Sequence, residues 1–243
     1  MRSHAGIILQ ARYASSRLFG KALEPIGGRS ILEHCIRRLM RTNVARVILA
    51  TTNEPEDDVL AVIAQRLGAS VYRGDTHDVL GRFSAAAEAF DLDLVLRATG
   101  DNPAVDVQAP GRVLAALRLT DADYVSEVGL PHGAAVEGMT AAALHRAAAL
   151  AVAPYDREHV TPFLRNNPEL FNVATVNAPS ALRCPSLRLT VDTAADLDAL
   201  RALFFRTRSD DPWLAALIAA SSAMPQPLDQ RLATRSIGQQ EVA

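Results

Sequence analysis

The chain has 243 residues, 49% of them apolar, and its 25 basic and 27 acidic side chains leave a formal charge of −2. That length suits one large α/β domain with a substantial core, and so balanced a charge argues against a nucleic-acid surface, which needs a basic excess. Two cysteines, Cys35 and Cys184, provide neither a disulfide framework nor metal-ligand spacing, and no apolar run reaches membrane-spanning length.

In chain order, the apolar run Ala5–Gln10 reads as a strand. It leads directly into a charged loop, so no signal peptide is expected and a cytoplasmic, reducing location is. The loop runs through Ala11, Arg12, Tyr13, Ala14, Ser15, Ser16, Arg17, Leu18, Phe19 and Gly20 to Lys21. Its small residues let backbone N–H groups approach a polyanion, and Arg12, Arg17 and Lys21 can neutralise one. A phosphate cradle at the carboxyl end of a first strand suits an open α/β sheet. The plain alternative is a solvated basic loop.

Ile26 to Arg29 reads as a turn. A helix then starts at Ser30, where Ser30 and Glu33 form a capping-box pattern and Ile31, Cys35, Leu39 and Met40 share a face. Cys35 is therefore expected in the core. Strands are expected at Arg46–Thr51, Ser70–Tyr72 and Leu94–Ala98. Helices are expected at Asp57–Leu67, closed by Gly68, at Val79–Phe90 and at Val107–Leu119. This alternation predicts a mostly parallel sheet covered on both faces.

The second half is less regular. Ala134–Thr140 reads as a strand followed by a helix from Ala141, then a helix over Arg157–Asn166 and a strand over Phe171–Val176. Arg188–Val191 reads as a final strand. Ala194–Phe205 reads as a helix with a capping pattern at Thr193 and Asp196. The organisation expected is one domain over 1–224, with an irregular region near 125–180 and a loosely held tail over 225–243.

Two strand ends carry carboxylates. In Arg97-Ala98-Thr99-Gly100-Asp101-Asn102-Pro103, Gly100 permits close backbone approach and Asp101 projects from the same sheet edge as the basic loop. A carboxylate beside a triphosphate needs a bridging cation, and magnesium takes one or two carboxylates plus phosphate oxygens. In Thr190-Val191-Asp192-Thr193, Asp192 could be a second such carboxylate. Asp101 as a turn cap and Asp192 as a helix N-cap are the simpler readings. Asp91-Leu92-Asp93 matches the D-x-D pattern of metal-dependent glycosyltransferases, but it precedes its strand and so falls on the wrong edge.

Taken together, these segments resemble the cytidylyltransferases that activate acidic sugars, the Kdo and acylneuraminate enzymes, and in particular the spore-coat polysaccharide biosynthesis branch. The matching pieces are Gln10-Ala11-Arg12 through Gly20-Lys21, Pro55-Glu56-Asp57-Asp58, Arg73-Gly74, Asp78-Val79-Leu80-Gly81-Arg82-Phe83, Thr99-Gly100-Asp101-Asn102-Pro103, Arg157-Glu158-His159-Val160-Thr161-Pro162 and Thr190-Val191-Asp192-Thr193. They keep the family's order from about Ala5 to Phe205.

The resemblance implies a Rossmann-like nucleotidyltransferase fold, CTP as substrate, Mg2+ as cofactor, attack by an acceptor oxygen on the α-phosphorus, and a homodimer. It implies that Arg12 and Lys21 hold the triphosphate with Ser15, Ser16 and Arg17. Gln10, Ala11, Arg82, Thr99 and Gly100 then border the nucleotide, and Asp101 and Asp192 hold the metal. Arg12, Lys21 and Asp101 are the expected catalytic residues.

Ala14 and Phe19 stand where the family usually has glycine and proline, and Tyr13 and Phe19 add bulk that could narrow the entrance. The stretch Leu130-Pro131-His132-Gly133…Val136-Glu137 resembles the family's Pro-Asp-Gly…Val-Glu, with His132 replacing an aspartate. His132, Glu137, Arg157, His159 and Arg165 are the expected acceptor-binding residues, since an Arg/His cluster suits a carboxylate or phosphonate. Arg157 and Glu158 pairing at a dimer interface is the alternative. The acceptor expected is an acidic sugar, with a small phosphonate second. A glycosyltransferase and a non-catalytic nucleotide-binding module are the competing functions.

Overall fold

The computed structural model describes residues 4–15, 17–42 and 46–223. Ser16 and the tail from 224 onward, both subjects of the expectations above, lie outside the described residues. The strands are β1 (Ala5–Gln10), β2 (Pro25–Ile26), β3 (Arg29–Ser30), β4 (Val47–Thr52), β5 (Ser70–Gly74), β6 (Leu94–Thr99), β7 (Tyr124–Val128), β8 (Glu137–Thr140) and β9 (Val173–Asn177). The helices are α1 (Ile31–Met40), α2 (Asp58–Arg66), α3 (Val79–Ala89), α4 (Ala109–Leu119), α5 (Ala141–Leu150), α6 (Pro154–His159), α7 (Pro162–Asn166), α8 (Ala194–Thr207) and α9 (Leu214–Ser222).

Seven strands form one sheet in the order β5-β4-β1-β6-β8-β7-β9, and β2 and β3 make a separate small hairpin. The β5-β4-β1-β6 half is parallel throughout. β8 runs antiparallel to β6 and β7, and β9 returns parallel to β7. The fold is thus a mixed α/β sheet, mostly parallel.

Side-chain alternation along β1 divides the core. Ile7 and Leu9 face a cluster completed by α1, α2, α4, α8 and α9, while Ile8 faces one completed by α3, α5 and α7. All three are fully buried, as strands covered on both faces require. Helix α1 starts at the expected capping box: Ser30 Oγ accepts from Glu33 N at 3.2 Å, and Glu33 accepts from Ser30 N at 2.9 Å. Cys35 is buried, and that burial raises its thiol pKa. Met40 instead lies half exposed at the helix end.

Four second-half expectations change. The helix expected over Arg157–Asn166 is two, α6 and α7. They are separated at Val160, whose φ is +70°, because Pro162 can begin a helix but cannot donate inside one. Arg188–Val191 forms no strand. It makes one bridge, Arg188 with His132, and passes across the sheet's end. Tyr124–Val128 and α9 form where no element was expected. In the first half, the turn read over Ile26–Arg29 closes a small hairpin whose strands, β2 and β3, have two residues each.

β8 lies tightly under α4. A Cβ on Gly138 would sit 2.4 Å from Val113 Cγ1 and 2.8 Å from Leu117 Cδ1. Gly138→Ala is therefore expected to lower stability by about 1–3 kcal/mol through overpacking, read as a lower urea midpoint at unchanged slope.

Candidate active site

The site forms where β1 and β6, paired in parallel, leave the sheet together. Gly100 N donates to Gln10 O at 2.8 Å. A Cβ on Gly100 would come within 2.7 Å of Ala11 Cβ and 3.0 Å of Gln10 O, so only glycine lets the two strand ends run this close. The loop after β1 is tied down at both ends. Tyr13 N donates to Asp57 Oδ1 at 2.6 Å, and Gly20 N donates back to Tyr13 O at 3.2 Å. Gly20 takes φ +68° and hands the chain to a single 3-10 turn that begins at Lys21.

Asp57 is the buried anchor of this loop. It also accepts from Thr51 Oγ1 at 2.8 Å, Thr52 N at 3.0 Å and Thr52 Oγ1. Burial alone would raise its carboxyl pKa. The donors from Thr52, Tyr13 and Thr51 outweigh it and hold the group below 3.8.

Asp101 and Asp192 converge on one ammonium. Lys21 Nζ donates to Asp101 Oδ2 at 2.9 Å, to Val191 O at 2.8 Å and to Asp192 Oδ1 at 3.2 Å. Arg17 reaches the same Asp192 oxygen at 2.7 Å, and Arg188 reaches Asp192 Oδ2 at 2.7 Å. Burial would raise the Asp192 carboxyl pKa, but Lys21, Arg188 and Arg17 outweigh it and lower it. Asp192 arrives here because the crossing segment is pinned to the sheet end. Val191 N donates to Asp101 O at 2.9 Å and Leu189 N to His132 O at 2.7 Å.

These groups line a cleft of about 580 Å³, well within the range of small-molecule sites. Gln10, Ala11, Arg12, Ser15, Arg17, Lys21, Arg82, Thr99, Gly100, Asp101 and Asp192 all border it, as do His132 and His159. Arg82 is 4% exposed, and its Nε is the one buried side-chain polar atom without a partner among the described residues. Burial, and then the charge of Arg12, lower its pKa. An oxyanion in the cleft would satisfy both.

Three expected acceptor residues stand outside the cleft lining. Glu137 is taken up by Arg97, Tyr124 and Thr161. Arg157 pairs with Asp78, the N-cap of α3, rather than with Glu158. Arg165 is exposed on α7. Tyr13 and Phe19 pack edge to face at 5.1 Å and do not line the cleft either. Conversely, Arg97, Asn102 and Glu158 border it, with Glu158 3.7 Å from Arg12. Arg97 was legible from strand alternation, because it shares the parity of Thr99. Asn102 lies in the matched segment beside Asp101 but had no role assigned from sequence, and nothing in the sequence pointed to the partner of Glu158.

The Asp91-Leu92-Asp93 pair sits at the other end of β1. There Asp93 caps His4 N at 2.8 Å and Asp91 meets the His4 ring at 3.1 Å. A wider recess of about 1040 Å³, bordered by Arg201, Phe205 and Arg208, holds neither converging carboxylate.

A profile of the cytidylyltransferase family matches residues 6–209. The chain belongs to the cytidylyltransferase family. It is 33% identical over 203 residues to the spore coat polysaccharide biosynthesis protein SpsF of Bacillus subtilis, covering 81% of this chain and 85% of that protein. It is 38% identical over 190 residues to the uncharacterized protein MJ1063 of Methanocaldococcus jannaschii, covering 78% of each. Among solved structures, a cytidylyltransferase from Leptospira borgpetersenii superposes with TM-score 0.83 at 27% identity, covering 100% of this chain and 99% of that one. A CMP:2-keto-3-deoxy-manno-octonic acid synthetase complexed with CTP shares the fold at TM-score 0.68 and 20% identity, covering 84% and 99%. This cytidylyltransferase is therefore a nucleotidyltransferase enzyme, and no helix among its described residues is long and apolar enough to cross a membrane.

The Asp57 anchor has a pH signature. Its lowered pKa contributes stability that is present above the ordinary value of 3.8 and lost as pH falls through the folded value. Asp57→Asn is expected to lower the melting temperature at neutral pH and to lose less stability than wild type between pH 5 and pH 3, roughly the range of carboxylate titration. Parallel acid limbs would contradict the anchor role.

Proposed function

We propose that this cytidylyltransferase transfers CMP from CTP to an anionic acceptor, an acidic sugar, with Mg2+ as cofactor and pyrophosphate as the second product. The observation that carries the reading is the convergence of Asp101 and Asp192 on Lys21. It lies in a cleft that also presents Arg12, Arg17 and Arg82. Such a site matches a substrate that brings several negative charges of its own.

An acceptor oxygen attacks the α-phosphorus, and the new P–O bond replaces the one to the bridging oxygen of the β-phosphate. Pyrophosphate leaves, and the acceptor's proton passes to solvent. Transfer of this kind needs positioning and charge neutralisation more than covalent help. Arg12 and Arg17 orient the triphosphate, and Lys21 neutralises charge on it. Arg82 offers its unpaired Nε to an oxyanion. The donor set fits magnesium: two hard carboxylate oxygens reach one point, leaving other positions for water and phosphate oxygens. Asp101 and Asp192 would hold the ion, which when bound stabilises charge developing on phosphate oxygens.

The CMP:2-keto-3-deoxy-manno-octonic acid synthetase supports a sugar-acid acceptor, and SpsF, a spore coat polysaccharide biosynthesis protein, supports a sugar one. His132 and His159 in the cleft wall support an anionic one. His132, in place of the family's usual aspartate, also favours a second reading, a small phosphonate. The family resemblance supports a cytoplasmic homodimer, with residues 1–224 acting as one catalytic domain.

The test is pyrophosphate release with magnesium, CTP and a panel of sugar acids and small phosphonates. CTP is expected to raise the melting temperature more than ATP, GTP or UTP. Asp101→Asn is expected to lower kcat by roughly a hundredfold or more, since metal-assisted stabilisation is worth several kcal/mol and each ~1.4 kcal/mol is tenfold. Arg12→Lys is expected to raise KM for CTP, because lysine cannot reproduce the guanidinium fork. A fully active Asp101→Asn enzyme would refute the reading.

A further inference from the structure

All four oxygens of the two cleft carboxylates are engaged in the protein itself. Asp101 Oδ1 accepts from Thr99 Oγ1 at 2.7 Å, and Asp101 Oδ2 accepts from Lys21. Asp192 Oδ1 is shared by Lys21 and Arg17, and Asp192 Oδ2 is held by Arg188. Among the described residues, Lys21 is the one cation that bridges both carboxylates. Its side chain and that of Asp192 are only 13% and 14% exposed, so solvent screens the contact little.

A divalent cation placed between Asp101 and Asp192 would need the same oxygens and would lie against a fixed positive charge. Like charges a few ångströms apart are strongly unfavourable at low dielectric. The ammonium can leave, because it is a compact charge on a flexible four-carbon stem. It needs other anionic oxygens to leave for. A triphosphate bordered by Arg12 and Arg17 brings them.

We propose that Lys21 is a built-in counter-ion that keeps divalent cations off the Asp101–Asp192 pair until a triphosphate draws its ammonium away. This rests on the metal reading given above. Nucleotide and cation then bind with positive coupling, and by linkage each raises the other's affinity by the same factor. The free protein holds its two carboxylates together without a metal, and the ion is admitted only with the substrate it serves.

The experiment is Mn2+ binding without nucleotide, followed by the loss of the free-ion electron paramagnetic resonance signal. The proteins are wild type, Lys21→Met, Lys21→Gln and Lys21→Arg, each checked for folding by circular dichroism. Removing the charge is expected to tighten Mn2+ binding at least tenfold, in Lys21→Met or, should that variant not fold, in Lys21→Gln. Lys21→Arg is expected to stay as weak as wild type. Adding Asp192→Asn to the charge-removing variant is expected to abolish the gain. Unchanged or weaker Mn2+ binding after removal of the charge would overturn the proposal. If wild-type pyrophosphate release still requires divalent cation in that case, the metal reading survives. Release that continues in excess EDTA would overturn both.

Discussion

Two carboxylates facing one point are unstable neighbours unless a cation stands between them. In this cytidylyltransferase the cation is the Lys21 ammonium, within 3.2 Å of both Asp101 and Asp192. The rest of the site can be understood as what brings these three residues together from distant parts of the chain. Parallel pairing of β1 with β6 delivers the loop that ends at Lys21 and the turn that carries Asp101 to the same sheet edge. Asp192 comes from a segment that is not a strand at all. It is threaded past the sheet end by hydrogen bonds to His132 and Asp101. Gly133 makes room for that crossing: it takes φ +90°, and a Cβ there would sit 2.8 Å from Thr190 N.

The parallel half of the sheet could be read from the sequence because burial on both faces leaves a local signature: short apolar runs, caps and glycine stops. β1 and the α1 capping box are cases in point. Asp101 and Lys21 were readable for the same reason, since a residue just past a parallel strand's carboxyl end has a predictable position. Asp192 was assigned to that edge from a strand that does not form. Residues 188–191 are extended and apolar enough to resemble one, yet their hydrogen bonds go to the His132 and Asp101 backbones.

The acceptor side was less legible because its contacts are long-range. Glu137, Arg157 and Arg165 follow one another in a family-like order, but the first two are taken into ion pairs and Arg165 lies exposed on α7. Glu137 is half-buried among Arg97, Tyr124 and Thr161. Burial would raise its carboxyl pKa, and those partners hold it low instead. It fixes Arg97, whose Nε also donates to Gln10 at 3.2 Å, at the cleft's edge. Arg157 braces the start of α3 through Asp78, and α3 carries Arg82. Glu137 and Arg157 thus pair with neighbouring side chains and stand outside the cleft lining. Arg97, inconspicuous within a strand, borders it.

The Lys21–Asp101–Asp192 cluster is the proposed seat of the triphosphate and its metal. The most direct measurement is a crystal structure with magnesium and a CTP analogue carrying a methylene between the α- and β-phosphorus atoms. The expected result is one ion bound by Asp101 and Asp192, with Lys21 Nζ moved from the carboxylates onto phosphate oxygens. A nucleotide bound elsewhere, or an ion that touches neither carboxylate while Lys21 keeps both, would contradict it.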